Sequence, residues 1–251
     1  TPDGGERRWR RSVRSSDAVI AISDAVAATL RPPMGRRASR LHRIYDAPFS
    51  ADELVQWRSM AERHRRSDGY FRFIQIGVFH PSKGQLLSLE AFAEVHRQFP
   101  NARLVLVGDG QVEPVRDRIR ALGLEGVVEL KGYVPEAMSL LLDSDCLLNP
   151  SVHEAFGRTN VEAMAVGVPV IGLASGATPE LIAKGEGGQV YSGGAHEMAV
   201  LMRHYLERPD QAREQGRKGM HRVAELFTLE PMLDRVMGVY RSIIGQELLG
   251  R

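Results

Sequence analysis

The chain has 251 residues, 43% of them hydrophobic and 25% charged, with one cysteine and a formal net charge of +2. This is the composition of a globular protein with enough chain for one large domain, or one domain plus part of another. It excludes an internal disulfide, and no apolar run approaches the length of a membrane-spanning helix.

The chain opens Thr1-Pro2-Asp3-Gly4-Gly5 without a signal-peptide pattern, as a processed or truncated product would. Charge is uneven: residues 1–66 carry 14 arginines, no lysine and eight acids, and the remainder is slightly acidic. The cluster Arg7-Arg8-Trp9-Arg10-Arg11 reads as a solvated helix face, with contact to an anionic membrane surface as the functional alternative. No zinc-finger spacing or RNA-binding aromatic signature accompanies it, so nucleic acid is not an expected partner. Asp17–Ser23 reads as a buried strand, with Ser23 or Asp24 capping a helix through Leu30. Arg43–Pro48 reads as a short strand ending in a turn, and residues 51–69 as a helix plus linker.

A second unit then begins. Phe71–Ile76 is a strand, followed by the Gly77–Gly84 loop. The next segment, Gln85 to Phe99, reads as a helix with Leu86, Leu89, Ala93, His96 and Phe99 on one side. Strands are expected at Leu104–Val107, Val127–Leu130, Cys146–Leu148, Pro169–Leu173 and Gln189–Tyr191, and helices at Val115–Leu122 and Met138–Leu142. Two outer helices fill 195–224 and a terminal helix 229–245. This alternation predicts an α/β fold, a Rossmann-like parallel sheet flanked by helices, with ligands at the carboxyl ends of the strands. Cys146, inside an apolar run, is expected to be a buried thiol.

Asn149–Ile171 is the most informative stretch. Asn149-Pro150-Ser151 breaks a strand, and beyond Gly157 the residues Val161, Met164 and Ala165 recur at helical spacing. Gly167-Val168-Pro169 ends that helix before the next strand. On one continuous helix Glu154 and Glu162 would lie about 12 Å apart and about 80° out of phase. With Glu154 in the loop, both can face a ligand above the helix start. Free amides there suit a diphosphate, and Gly157 allows close approach. The two carboxylates then serve as acceptors for sugar hydroxyls on either side of it, which describes a nucleotide-sugar. The plainer reading is a capping Glu154 and a solvated Glu162. Lys83, just before a helix, can meet the diphosphate or simply be solvated. Gly108-Asp109-Gly110 has Glu113 where a dinucleotide fingerprint needs a third glycine, so a nicotinamide cofactor is not expected. The eight histidines show no paired spacing, and no metal site is expected.

The run Glu154-Ala155-Phe156-Gly157, with Glu162-Ala163-Met164 and Gly167-Val168-Pro169-Val170-Ile171, resembles the E-x7-E signature of family 4 glycosyltransferases. The resemblance covers the chain from near Asp17 to Ile244. It implies a GT-B enzyme, two Rossmann-like domains around a cleft, of which this chain holds the C-terminal half. By that resemblance residues 1–66 are a remnant of the acceptor-binding domain with its linker, and residues 67–228 bind the nucleotide-sugar. Residues 229–251 form a terminal helix crossing back. The resemblance makes Lys83 and Glu154 catalytic, Lys83 neutralising the leaving diphosphate and Glu154 orienting the donor sugar. Glu162 accepts from the ribose hydroxyls. Gly77, Gly108, the base-holding pair Tyr133 and Val134, and Ala155, Phe156, Gly157 and Arg158 complete the donor site. The commoner family pattern has Arg where Val78 stands; Arg158 is a candidate replacement, and a solvent-facing Arg158 is the alternative. Ser175–Glu180 resembles a Gly-Gly-x-Pro-Glu turn, with Ala177 for the second glycine.

The implied activity is transfer from a nucleotide-diphosphate-sugar to a glycan or lipid-linked acceptor, with retention, in cell-surface polysaccharide or glycolipid synthesis. It implies a cytoplasmic location, at or near the inner membrane face, and needs neither a cofactor nor an essential metal. A donor-binding module inactive alone is one alternative, and exposed apolar surface around residues 17–49 would be its sign. A GT-B nucleotide-sugar epimerase is another. A glycoside hydrolase could use two glutamates but would not need Lys83. Asp143-Ser144-Asp145 could be the metal site of a GT-A enzyme, yet reads better as structural acids between helix and strand.

Overall fold

The computed structural model describes residues 4–64, 68–182 and 185–249. The expected boundary between residues 66 and 67 lies outside the described residues. Six strands form the main sheet: β3 (Phe71–Ile76), β4 (Ala102–Val107), β5 (Val128–Lys131), β6 (Cys146–Asn149), β7 (Val170–Leu173) and β8 (Gly188–Tyr191). Their order is β5-β4-β3-β6-β7-β8 and every pair is parallel. A separate parallel pair joins β1 (Val19–Ala21) to β2 (Leu41–Arg43).

The central strands β4, β6 and β7 are largely apolar because both faces of the sheet are covered there. Phe73, Leu104, Leu106, Cys146, Leu148 and Ile171 point to one side. There they meet α4 (Gln85–His96), α5 (Val112–Leu122) and α9 (Ala195–Glu207). Ile74, Val105, Leu147 and Val170 point to the other. That face is covered by α3 (Ala51–Arg63), α6 (Met138–Leu142), α7 (Arg158–Ala165), α8 (Thr178–Leu181) and α10 (Pro209–Leu226). Cys146 is fully buried, and burial pushes its thiol pKa well up. The strand order reverses direction between β3 and β6, so a crevice opens where their following loops diverge.

The smaller cluster of Val13, Ala21, Ala27, Leu30 and Met34 joins α1 (Gly4–Ser15) and α2 (Asp24–Met34) to the β1–β2 pair. Ile20 and Ile22 in this unit are exposed. The terminal helix α11 (Leu229–Leu249) starts with the Leu229 amide bonded to the carbonyl of Phe49, a residue of the main core, at 2.9 Å.

Three sequence expectations are corrected. The second helix continues beyond Leu30 to Met34, through Pro32 and Pro33, because burial of Pro33 and Met34 outweighs proline's local penalty. The strand expected at Arg43–Pro48 lies earlier, at Leu41–Arg43; the Ile44 amide still bonds Ala21, and the chain then leaves the pair. Helix α4 ends at His96 and buries Gln85, Ser88, Leu89, Phe92 and Val95, whereas Leu86 is exposed. Two polar residues on the inner face had disguised its orientation.

Candidate functional site

The crevice is walled by the loop after β3 and the loop after β6. Two buried amide side chains brace the first loop. Gln75 Nε2 donates to the Lys83 carbonyl at 2.6 Å, and Gln85 Nε2 to the Val78 carbonyl at 2.9 Å. Gly77, at φ 155°, lies against Gly108, at φ 146°, so closely that a Cβ on Gly108 would stand 2.1 Å from the Gly77 oxygen. The loops after β3 and β4 then run together, with Phe79 N bonded to Asp109 O and Gln111 N to Phe79 O. Gly108 is therefore required by loop packing, whatever else it touches.

Lys83 sits in a short 3-10 turn before α4 and reaches across the crevice. Its ammonium lies 3.2 Å from Glu154 Oε2, with the Glu154 side chain 14% exposed. The two expected catalytic residues are thus brought together as an ion pair. Gly157 starts α7 at φ 93°, and no side chain caps that helix; the Asn160 amide bonds the Gly157 carbonyl, which leaves the Arg158 and Thr159 amides to suit an anion.

Glu162 lies one turn further along α7. Burial raises its pKa; Arg158 pulls it down and Glu136 pushes it up. Arg158 Nε is 4.0 Å from Glu162 Oε1, and the arginine side chain is 63% exposed. Arg158 therefore stands on the Glu162 side of the helix start, with its head group in solvent. Tyr133 is exposed and Val134 half-buried at the end of the β5 loop. Phe156 is buried against Tyr45 and Phe227, so it can offer a ligand only its backbone.

Sequence reasoning missed the contacts that hold this loop to the small unit. Ser23 caps α2 through Val26 N and also donates to the Ala155 carbonyl at 2.6 Å. Glu180 accepts from Asp24 N at 2.8 Å and Ala25 N at 3.0 Å, and from the Tyr45 hydroxyl. The resemblance of Ser175–Glu180 to a family turn was the available signal for Glu180. Also missed was a buried pair, Asn149 Nδ2 donating to Asn160 Oδ1 at 2.7 Å.

Among the described residues no group of three or more His, Cys, Asp or Glu side chains could hold a metal ion. Asp143 pairs with His64, and Asp145 accepts from Arg72 N, so these two acids serve separate structural contacts. A concavity of about 570 Å³, lined by apolar residues including Phe79, Leu86, Val115, Val152 and Leu173, adjoins the crevice. It includes none of Lys83, Glu154 and Glu162. No helix of the described residues is long and apolar enough to cross a membrane.

The model of the family described as glycosyl transferases group 1 matches residues 58–222. N-acetyl-alpha-D-glucosaminyl L-malate synthase of Bacillus anthracis is 29% identical over 250 residues, covering 96% of this chain and 64% of its own length. The lipopolysaccharide core biosynthesis mannosyltransferase LpcC of Rhizobium leguminosarum bv. viciae is 28% identical, covering 93% of this chain and 66% of its own. This chain thus spans just under two thirds of the length of these relatives. The fold, an α/β parallel sheet flanked by helices, matches GT-B glycosyltransferase structures. The Anabaena protein Alr3699/HepE in complex with UDP and glucose superposes with a TM-score of 0.78 at 23% identity, covering 95% of this chain and 69% of that one.

Proposed function

The chain belongs to the glycosyl transferases group 1 family, and from that premise we propose that its crevice binds a nucleotide-diphosphate-sugar and supports transfer of the sugar with retention. One observation carries this reading: the Lys83–Glu154 ion pair, at the switch point of the sheet and beside the uncapped start of α7. An arriving diphosphate competes for Lys83 and docks on the α7 amides, which frees the Glu154 carboxylate to accept from a sugar hydroxyl. Glu162 is then in place for the ribose, and the Tyr133–Val134 backbone for the base. As the glycosidic bond breaks, negative charge grows on the leaving phosphate. A fixed ammonium and helix amides aimed there lower the barrier without reorganising. A nucleoside diphosphate leaves readily without a strong general acid, so neither an essential metal nor a cofactor is proposed. Arg158 is proposed as the cation in place of the one that Val78 does not supply.

The names of the relatives support an acceptor that is a small hydroxylated molecule, a glycan or a lipid-linked sugar. The arginines of α1 support membrane contact. Arg7, Arg10, Arg11 and Arg14 line, with Arg37, a basic concavity of about 380 Å³. Flotation with anionic but not neutral vesicles is the expected result, and no flotation with either removes this partner. A second reading, a donor-binding unit inactive by itself, is favoured by the exposed Ile20 of β1 and Ile22 just after it.

The test is thermal stabilisation by UDP, GDP, ADP and TDP, first in EDTA and then with Mn²⁺. At about 100 times its dissociation constant the correct nucleotide adds roughly 2.7 kcal/mol. Stabilisation by one nucleotide in EDTA, lost in Glu162→Ala, is expected. Stabilisation only with Mn²⁺ overturns the metal-free site, and no response to any nucleotide overturns the reading. Binding without turnover of the sugar-nucleotide selects the second reading.

A further inference from the structure

We propose that Asn160 is a positioning residue for Glu154: its side-chain amide takes the Glu154 carboxylate when a diphosphate takes Lys83. The inference rests on the donor site proposed above.

Asn160 lies in the first turn of α7 and is fully buried. The orientation of its amide follows from a chain of hydrogen bonds with one direction. Ser151 N donates to Asn149 Oδ1 at 3.2 Å, which turns Asn149 Nδ2 towards Asn160. Asn149 Nδ2 donates to Asn160 Oδ1 at 2.7 Å. Asn160 Nδ2 therefore faces away from Asn149, and it has no hydrogen-bond partner among the described residues. A buried donor without an acceptor is costly.

The donor's position indicates its use. A Cβ on Gly157 would stand 2.8 Å from Asn160 Nδ2 and 3.0 Å from Glu154 Cγ. The missing side chain of Gly157 thus leaves the amide nitrogen and the Glu154 side chain next to each other. Lys83 holds Oε2 of that carboxylate in the unliganded site. Once phosphate oxygens claim the ammonium, the carboxylate loses its counter-charge, and Asn160 Nδ2 is the buried donor beside it. A carboxylate held from below keeps its outer oxygen aimed at the crevice, ready for a sugar hydroxyl.

The first measurement needs no turnover. On saturation with the nucleoside diphosphate, the Asn160 side-chain amide resonances in ¹⁵N spectra of the wild-type chain should move downfield. The same titration of Glu154→Ala should leave them in place. A saturated wild-type chain with unmoved resonances overturns the proposal. A chain that binds no nucleotide overturns the donor site itself, and this role with it.

Variants give an independent readout. Asn160→Asp keeps the acceptor for Asn149 and replaces the donor by a second acceptor, and Asn160→Leu removes both. Nucleotide affinity should stay within about twofold of wild type in each, while kcat for the sugar-nucleotide falls about tenfold or more at nearly unchanged KM. Glu154→Gln with Asn160→Asp restores a hydrogen bond with the roles reversed. Its effect should therefore be clearly smaller than the product of the two single effects. Additive effects, or affinity falling in parallel with kcat, would reduce Asn160 to a structural residue and overturn the proposal.

Discussion

The six-stranded sheet buries apolar side chains on both faces, whereas the β1–β2 pair leaves Ile20 and Ile22 in the open and gathers only a small cluster around Ala21. The two regions are also joined differently. Within the sheet, neighbouring loops touch backbone to backbone, as at Gly77 and Gly108. Between the regions the joint is largely polar: Ser23 on the Ala155 carbonyl, Glu180 on the α2 amides, and Tyr45 reaching Glu180 while its ring meets Phe156 and Phe227. The difference teaches that the Glu154 loop has two tasks. It carries the carboxylate that faces the crevice, and it is where the small unit is fastened. Anything that moves the small unit reaches the donor site first at Ala155 and Phe156.

That contrast can be broken most severely inside the sheet. Gly108→Ala puts a Cβ against the Gly77 oxygen, where neither loop can retreat. We expect a loss of about 3 kcal/mol or more, read as a large fall in denaturant midpoint without a change in slope. A midpoint within error of wild type would mean the two loops are not locked. At the joint the effect should be smaller and local. Glu180→Ala removes the acceptor for two orphan amides at the start of α2, for about 1–2 kcal/mol. Hydrogen exchange should speed up in residues 24–30 and stay constant in β3 and β4. Uniform acceleration would mean that the two regions unfold as one unit.

Glu162 sharpens the comparison through pH. Its folded pKa is raised, chiefly by burial, so the unfolded chain ionises first and this group lowers stability as pH rises through the ordinary carboxylate value towards the folded one. Glu162→Gln should therefore raise Tm at neutral pH, by about 2–4 °C for each kcal/mol relieved, and the gain should vanish below about pH 4. The same variant should weaken nucleotide binding. A variant without a gain in Tm at neutral pH would contradict the burial cost. The smallest effect on folding is expected from Arg158→Ala, within about 0.5 kcal/mol, because the side chain is largely solvated. Nucleoside diphosphate affinity should nevertheless fall about tenfold in calorimetry, and an unchanged affinity removes Arg158 from the donor site.

The sheet was legible because Leu104–Val107 and Cys146–Leu148 are apolar on both faces, Phe71–Ile76 mostly so, and loops with clear punctuation separate them. The placement of Glu154 in a loop and of Glu162 on the following helix was legible from the break at Asn149-Pro150-Ser151 and from Gly157. What stayed hidden shares a physical cause. The inner face of α4 carries Gln85 and Ser88, so hydrophobic periodicity pointed to Leu86 instead. The partners of Ser23 and Glu180 across the joint, and the Asn149–Asn160 pair, lie across sequence gaps that no local pattern encodes. Phe156 belongs to the core as much as to the site, which a motif cannot tell apart from ligand contact.

The most direct measurement compares a nucleoside diphosphate with its monophosphate by calorimetry, on the wild-type chain and on Lys83→Ala. If Lys83 leaves Glu154 for the donor's phosphates, the diphosphate should bind the wild-type chain about tenfold or more tightly than the monophosphate, and the preference should largely vanish in Lys83→Ala. Equal affinities in the wild-type chain, or a preference that survives the substitution, would contradict the assignment of this crevice as the site of a nucleotide-diphosphate-sugar.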